Sequence, residues 1–233
     1  MGSLLQHFLR SINAMKFTFA WLKEFVEINM PPADLGKTLT MAGLEVESMT
    51  VVREPESGQE DWLFEVGVTP NRGDCLGIAG IAREVAALTG AKSQPLSSSA
   101  ATKDPKIHKR ISIAIEDTLL CPRYSARIVD GLTTGPSPTW LRHRLECCGI
   151  RAINSVVDIT NYVMLETGQP LHAFDFDLLP ARHIIVTMAG AGAKFTTLDG
   201  NERELAGGDL LICDGDISVA LAGIMGGMNS EVT

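Results

Sequence analysis

A polar stretch at residues 91–106, AKSQPLSSSAATKDPK, interrupts a chain whose other long segments carry regular apolar spacing. It is rich in Ser, Ala, Pro and Lys and has no apolar periodicity, which is the composition of an interdomain linker. With 233 residues, 45% of them hydrophobic, the chain has enough apolar side chains for one or two cores. We therefore expect two domains, at residues 15–95 and 107–233, joined by a linker at 96–106.

The first predicted domain is small, helix-rich and of mixed α/β type. A helix is expected at Ala33–Ala42, where Leu spacing is helical and Gly43 follows as a left-handed cap. LEVESMTVV and WLFEVGV then alternate as strands do, and the polar residues 53–61 between them are typical of a surface connection. A further helix is expected between Asp74, its candidate N-cap, and Gly90.

The second predicted domain is larger and also mixes helices with strands, so the fold class is α+β. RISIAI and RYSARIV alternate as strands do, and Ser137 is a candidate N-cap for a helix that Gly149 ends. A second helix is expected at Ser155–Thr167, before Gly168. From His183 onward, short strands are separated by DG and GD dipeptides, which favour hairpin turns.

Charge and composition exclude several classes of protein. The formal net charge of -8 argues against an autonomous nucleic-acid-binding module, because such a chain repels a polyanion except at local basic patches. The five cysteines form no CxxC pair and no zinc spacing, so reduced thiols and no metal site are expected. No apolar run is long enough to predict a membrane span. Residues 1–14 lack a secretory signal pattern and are interpreted as a tag or an extension.

Two polar residues in an apolar helix are the first candidates for chemistry. Thr160 and Asn161 lie among Val, Ile, Met and Leu, and Asn disfavours helix interiors because its amide competes for backbone groups. Asn161 is therefore expected either to bind a ligand or to be a buried Asn that pins a neighbouring loop. Taken by itself, the structural role is the more frequent one.

His172 and the glycine-rich LAGIMGG segment are further candidates. His172 arrives on the Gly/Pro-containing connection GQPLHAFD, and an imidazole both donates and accepts hydrogen bonds near neutral pH, although a single His is more often a structural residue with its hydrogen bonds satisfied. Glycines such as Gly223 allow a ligand to approach backbone N–H groups, which stabilise an ester oxygen, but taken alone a tight turn is the better explanation of them. No GxSxG, HExxH or phosphate-loop pattern is present, so a covalent nucleophile and nucleotide binding by this chain are not predicted.

Several longer segments occur in one order: MAGLEVES, VTPNRGDCLGIAGIAREVAALTG, CPRYSARIV, TNYVMLETGQPLHAFD and LAGIMGG. This series resembles the beta subunit of bacterial-type phenylalanyl-tRNA synthetases from about Met15 to Thr233. The resemblance implies that the second domain is a tRNA-editing domain. It also assigns six residues to the editing pocket. Three of them are expected to carry out hydrolysis, namely His172, Thr160 and Asn161. The other three are expected to bind the substrate, namely Arg151, Ala222 and Gly223.

The resemblance implies the following activity and partners. An alpha subunit performs aminoacylation with ATP and Mg²⁺, while the beta subunit binds tRNA(Phe) and hydrolyses mischarged Tyr-tRNA(Phe) with a positioned water. The parent enzyme is expected to be a cytoplasmic α2β2 heterotetramer, and this chain to hold no cofactor or metal of its own. No membrane partner is implied.

Two departures from the family pattern qualify these expectations. The family's OB-fold insertion is absent at residues 53–61, and family members continue for several hundred residues past SEVT. We therefore expect a C-terminally truncated editing domain with an incomplete pocket, which is weak or inactive alone. A non-catalytic assembly or RNA-binding scaffold is the alternative, and a stand-alone trans-editing or small-ligand protein is a third.

Overall fold

The computed structural model describes residues 14–94, 96 and 107–232 and divides the chain into two compact units. The first unit combines the described part of Met1–Ser99 with Thr134–Leu171, and the second combines that of Ala100–Thr133 with His172–Thr233. Helices and several sheets are both present, which confirms the mixed α and β fold class. These units do not follow the expected domain limits, because residues 134–171 group with the N-terminal segment. The domain limits at 15–95 and 107–233 stay a prediction.

The first unit contains three strands and five helices in the described residues. They are β1 (Ala14–Thr18), α1 (Phe19–Lys23), α2 (Pro32–Met41), β2 (Val46–Arg53), β3 (Glu60–Gly67), α3 (Ile78–Thr89), α4 (Thr139–Cys147) and α5 (Ser155–Thr167). The sheet order is β1-β3-β2, with antiparallel neighbours. Both strands predicted from alternation, β2 and β3, are confirmed, and residues 54–59 connect them at the surface.

The core of the first unit lies on one face of this sheet. Phe64 on β3 pairs with Phe17 on β1 and with Met49 on β2, and its ring stacks on that of Phe17 with centroids 5.5 Å apart. Phe17 and Phe64 are fully buried, as is Trp21 on α1. Burial of side chains this large contributes about 1.5–3 kcal/mol each, and they belong to one hydrophobic cluster shared by the sheet and the helices around it.

Glycines end the predicted helices of this unit where the sequence placed them. Gly43 follows α2 with φ of 92°, and Gly90 follows α3 with φ of 69°. This left-handed conformation costs a residue with a Cβ about 1–2 kcal/mol. Gly168 ends α5 in the same way, with φ of 75°.

Two predicted helix caps were wrong. Asp74 does not cap α3, which begins after Gly77 without a side-chain cap; its carboxylate instead accepts two hydrogen bonds from Arg72, both at 3.0 Å. Ser137 does not cap α4, since its hydroxyl donates to the buried Asp158. Asp74 lies in a short 3-10 turn at Gly73–Cys75, so α3 starts too late in the chain for this residue to be its N-cap. The Ser137 hydroxyl is instead taken by a side-chain partner.

The second unit is built from strands. They are β4 (Ser112–Ile115), β5 (His183–Met188), β6 (Lys194–Thr196), β7 (Glu202–Glu204), β8 (Leu210–Asp214), β9 (Ile217–Leu221) and β10 (Met225–Gly226). A five-stranded sheet has the order β10-β9-β8-β5-β4, with only β4 and β5 parallel, and β6 pairs with β7. The predicted hairpin turns are confirmed: Gly200 and Gly215 have φ of 77° and 58°.

The predicted strand RYSARIV at residues 123–129 was wrong. These residues form no regular secondary structure, although Tyr124 packs against a hydrophobic cluster of the second unit. Alternation is necessary for a half-buried strand, but a strand also needs a hydrogen-bonding neighbour. Among the described residues, β4 is the last strand at its edge of the sheet.

Within the described ranges, the structure contains no helix of the length and apolar character that crossing a membrane requires.

Candidate functional site

Helix α5 carries Thr160 and Asn161, both half-buried. Its start is fixed by Asn154, whose side-chain oxygen accepts hydrogen bonds from Val156 N at 3.1 Å and Val157 N at 3.0 Å. The Thr160 hydroxyl donates to the Val157 carbonyl at 2.7 Å. Because that bond uses the hydroxyl hydrogen, the Thr160 oxygen presents only lone pairs to any further partner.

The Asn161 amide makes no side-chain hydrogen bond to any residue in the described part of the chain. The interpretation that this Asn pins a loop is therefore not supported, since such a role requires a loop partner. Its two donors and its oxygen are available to water or a ligand. Arg151 is exposed and lies in the irregular segment after Gly149, which turns the chain with φ of 82°.

His172 belongs to the second unit, where its ring lies against backbone. A Cβ built on Gly226 would lie 2.4 Å from both Cε1 and Nε2 of His172, so the ring covers the bare Cα of that glycine. The Phe174 ring meets it edge-on, with centroids 4.6 Å apart. Although the residue as a whole is exposed, this local burial lowers the pKa of His172 below its ordinary 6.5. The imidazole is consequently neutral at pH 7 and can both donate and accept a hydrogen bond.

The LAGIMGG segment forms the end of β9, a tight turn and β10. Gly223 lies in this turn with φ of 72° and with no heavy atom near the position of a Cβ, so its role is conformational. The half-buried Ala222 donates its backbone N–H to the Leu210 carbonyl at 2.8 Å, which leaves that donor occupied within the sheet. The structure thus favours the turn interpretation of Gly223, while the close approach in this segment occurs at Gly226.

The family model for the B3/4 domain matches residues 120–233. The phenylalanine–tRNA ligase beta subunit of Geobacter metallireducens is 54% identical over 175 residues, and that of Moorella thermoacetica is 52% identical over 176 residues. These alignments cover 75% and 76% of this chain. The chain belongs to the phenylalanine–tRNA ligase beta subunit family.

The chain spans about a fifth of the length of the curated beta subunits it matches, 22% in both alignments. A crystal structure of an N-terminal fragment of the phenylalanyl-tRNA synthetase beta subunit from Pyrococcus horikoshii superposes with a TM-score of 0.46 at 16% identity. That superposition covers 94% of this chain and 64% of the other, and the similarity is too low to bear on fold or function.

All six residues predicted for the site of this beta-subunit chain fall within the B3/4 match at 120–233. The compact units separate them into two groups: Arg151, Thr160 and Asn161 belong to the first unit, and His172, Ala222 and Gly223 to the second. Thr160 and Asn161 are adjacent on one helix. The His172 ring packs against Gly226, which belongs to the same glycine-rich segment as Ala222 and Gly223.

Sequence reasoning missed the two residues that set the environment of the beta subunit's His172. Gly226 was one glycine among several in LAGIMGG, and nothing local distinguishes a glycine needed for a left-handed turn from one needed for a close contact. Phe174 follows two residues after His172, and aromatic residues at this spacing carry no specific signal.

Other reactive groups do not suggest a nucleophile or a metal centre. Burial raises the pKa of the Cys75 thiol to about 11 and that of Cys148 to about 12, so neither is a thiolate at neutral pH. Across residues 14–94 and 107–232, no three His, Cys, Asp or Glu side chains are grouped so as to hold a metal ion.

Proposed function

We propose that this chain is part of a phenylalanine–tRNA ligase beta subunit and takes part in the hydrolysis of mischarged Tyr-tRNA(Phe). The proposal rests on sequence similarity: about half of the aligned residues are identical to those of curated beta subunits, and the B3/4 match includes every candidate residue. The need for hydrolysis follows from chemistry. A pocket that selects Phe rejects the one added hydroxyl of Tyr only weakly, so a second, polar site corrects the error.

His172, Thr160 and Asn161 suit hydrolysis by water. An aminoacyl ester is already activated, and its cleavage requires an oriented water and hydrogen-bond donors more than a strong nucleophile. Neutral His172 accepts a proton from water through a ring nitrogen, and the lone pairs of Thr160 accept a hydrogen bond from water or substrate. The Asn161 amide supplies donors toward a developing negative charge.

Substrate binding is proposed for Arg151, Ala222 and Gly223. The exposed guanidinium of Arg151 suits a phosphate of tRNA, because it presents several donors in a plane. Gly223 offers backbone without a side chain at an exposed turn, and Ala222 leaves room beside it. Both allow close approach of an aminoacyl group.

The remaining components are proposed for the whole enzyme. An alpha subunit activates phenylalanine with ATP and Mg²⁺ and transfers it to tRNA(Phe), and the two subunits form an α2β2 heterotetramer in the cytoplasm. None of these steps requires a cofactor bound to the chain described above.

The test is the rate of Tyr-tRNA(Phe) deacylation by the alpha–beta enzyme carrying single substitutions. His172→Ala and Asn161→Ala should each lower the rate about 100-fold, the usual loss when a proton-transfer group or a transition-state donor is removed. Asn71→Ala, in an exposed turn of the first unit, is the matched control and should leave the rate unchanged. Full activity in both site variants, with an intact alpha–beta complex, would instead support the scaffold alternative.

A further inference from the structure

Three aromatic rings and one arginine meet in the first unit between α1, α4 and α5. The Tyr162 ring on α5 stacks on Trp21 with centroids 4.9 Å apart and meets the edge of Trp140 at 5.6 Å. The guanidinium carbon of Arg144 lies 5.2 Å from the Trp21 ring centroid and 5.6 Å from that of Trp140. Both distances are within the range of cation–π attraction.

Arg144 also forms hydrogen bonds in two directions. Its Nη1 donates to Glu24 Oε2 and to the Tyr162 hydroxyl, each at 3.1 Å, and its Nη2 donates to the other Glu24 oxygen. Only 21% of the Arg144 side chain is exposed. The guanidinium is therefore partly buried, and loss of its part-buried hydrogen bond to Tyr162 would be unfavourable, whereas its pair with Glu24 reaches solvent. Arg144 thus links the segment after α1 to α4 and α5.

The hydrogen bond from Arg144 to Tyr162 holds one face of α5. Tyr162 lies four residues after Asp158, so the two side chains project from nearly the same side of the helix. Asp158 is also held, since it accepts hydrogen bonds from the Ser137 hydroxyl and from Ile153 N. Thr160, two residues after Asp158, projects from the opposite side, at 100° per residue. The two anchors therefore determine how α5 is rotated about its axis, and with it the direction of Thr160 and Asn161.

A small rotation has a large effect at the side-chain ends. About 20° of helix rotation moves an atom about 6 Å from the axis by about 2 Å. Misplacement of catalytic groups by about 1 Å can lower a rate about 100-fold. Loss of one anchor therefore affects chemistry without unfolding the helix.

We propose that Arg144, through Tyr162, is a positioning residue that sets the rotation of α5 and so aims Thr160 and Asn161. The proposal rests on the proposed ester hydrolysis for its effect on rate, but its geometric content is independent of that activity. The hydrogen bonds and cation–π contacts of Arg144 are with Glu24, Tyr162, Trp21 and Trp140, so it acts on the two proposed catalytic residues through Tyr162 on α5.

The test compares three variants with the wild-type chain and the alpha–beta enzyme. Arg144→Gln removes the cation, Arg144→Lys keeps the charge, and Tyr162→Phe keeps the stacked ring but removes the acceptor hydroxyl. Arg142→Gln is the matched control, since Arg142 is exposed on the same helix. NMR of the folded chain follows the Thr160 methyl and Asn161 side-chain amide resonances, and steady-state kinetics separate kcat from KM for Tyr-tRNA(Phe) deacylation.

In folded Arg144→Gln we expect both sets of resonances to shift and kcat to fall at least tenfold with KM little changed. Tyr162→Phe and Arg144→Lys should shift the same resonances in the same direction by less, and Arg142→Gln should shift neither. Unchanged Thr160 and Asn161 resonances in folded Arg144→Gln and Tyr162→Phe would overturn the proposal and leave Arg144 a purely stabilising role. If the wild-type enzyme does not deacylate Tyr-tRNA(Phe), the proposed function fails, and the resonances alone decide the positioning role.

Discussion

Substitution of Gly226 by Ala tests the contact that defines the environment of His172. The added Cβ would lie 2.4 Å from Cε1 and Nε2 of His172 and 3.2 Å from Leu198 Cδ1. The imidazole must therefore leave its place on the glycine. Because it is the end of a side chain on an exposed residue, it can rotate toward solvent. We expect a loss of about 1 kcal/mol in the free energy of unfolding, the low end of the range for overpacking.

The same movement should raise the pKa of His172. Burial of the ring lowers that pKa below 6.5 in the wild-type chain, and a ring displaced into water loses this effect. The pKa is measured by NMR titration of the imidazole resonances, and stability by urea unfolding. Gly223→Ala is the control: it should cost about 1–2 kcal/mol, because a residue with a Cβ disfavours positive φ, but leave the His172 pKa unchanged.

One result would refute this reasoning. If Gly226→Ala folds and its His172 titrates at the wild-type pKa, the ring does not lie on Gly226. If the unchanged pKa comes with a loss of stability of several kcal/mol, the backbone rather than the imidazole has moved, and the expected rotation of the ring toward solvent is refuted.

Three further predictions concern stability. Gly80→Ala in α3 should destabilise the chain by about 2 kcal/mol or more, although Ala is usually preferred in helices, because its Cβ would lie 1.7 Å from the Asp74 carbonyl oxygen. Gly36→Ala in α2 should change stability by less than about 1 kcal/mol, because its Cβ would crowd only the flexible Met49 side chain, at 2.9 Å, and would be in ordinary contact with Phe64 and Val46. Asn154→Ala should cost about 1 kcal/mol by removing the N-cap of α5, with unfolding midpoints as the measurement. His172→Gln should make the free energy of unfolding less dependent on pH. The pKa of His172 is lowered in the folded chain, so the unfolded chain binds this proton more tightly. The stability of the wild-type chain should therefore fall relative to that of the variant as the pH drops below 6.5. Equal pH slopes for the two proteins would contradict that sign.

Local features of the sequence predicted the helix ends well. Gly90 and Gly168 stop α3 and α5 because the required backbone conformation depends on the residue itself and hardly on distant partners. Strand β3 was predictable for a related reason, since its alternation matches a sheet with one buried face. The local sequence of each of these elements is therefore enough to predict it.

The failures involve side-chain partners and backbone contacts that residue type and spacing alone do not reveal. Asp74 and Ser137 have the chemistry of N-caps, but a nearby guanidinium and a buried carboxylate compete for them. In the candidate site, Thr160, Asn161 and His172 stood out by residue type and context. Gly226 did not, because its role depends on which side chain approaches it in the folded chain. The anchoring of α5 by Arg144 likewise depends on residues more than a hundred positions away.

The central claim is that His172 and Asn161 take part in the hydrolysis of mischarged tRNA by the beta subunit. The most direct measurement is the accumulation of Tyr-tRNA(Phe) when the alpha–beta enzyme carrying both His172→Ala and Asn161→Ala is given tyrosine, ATP and tRNA(Phe). We predict that Tyr-tRNA(Phe) accumulates with the double variant and not with the wild-type enzyme, while the rate of phenylalanine attachment is the same for both. If the double variant clears Tyr-tRNA(Phe) at the wild-type rate, these residues have no part in the hydrolysis.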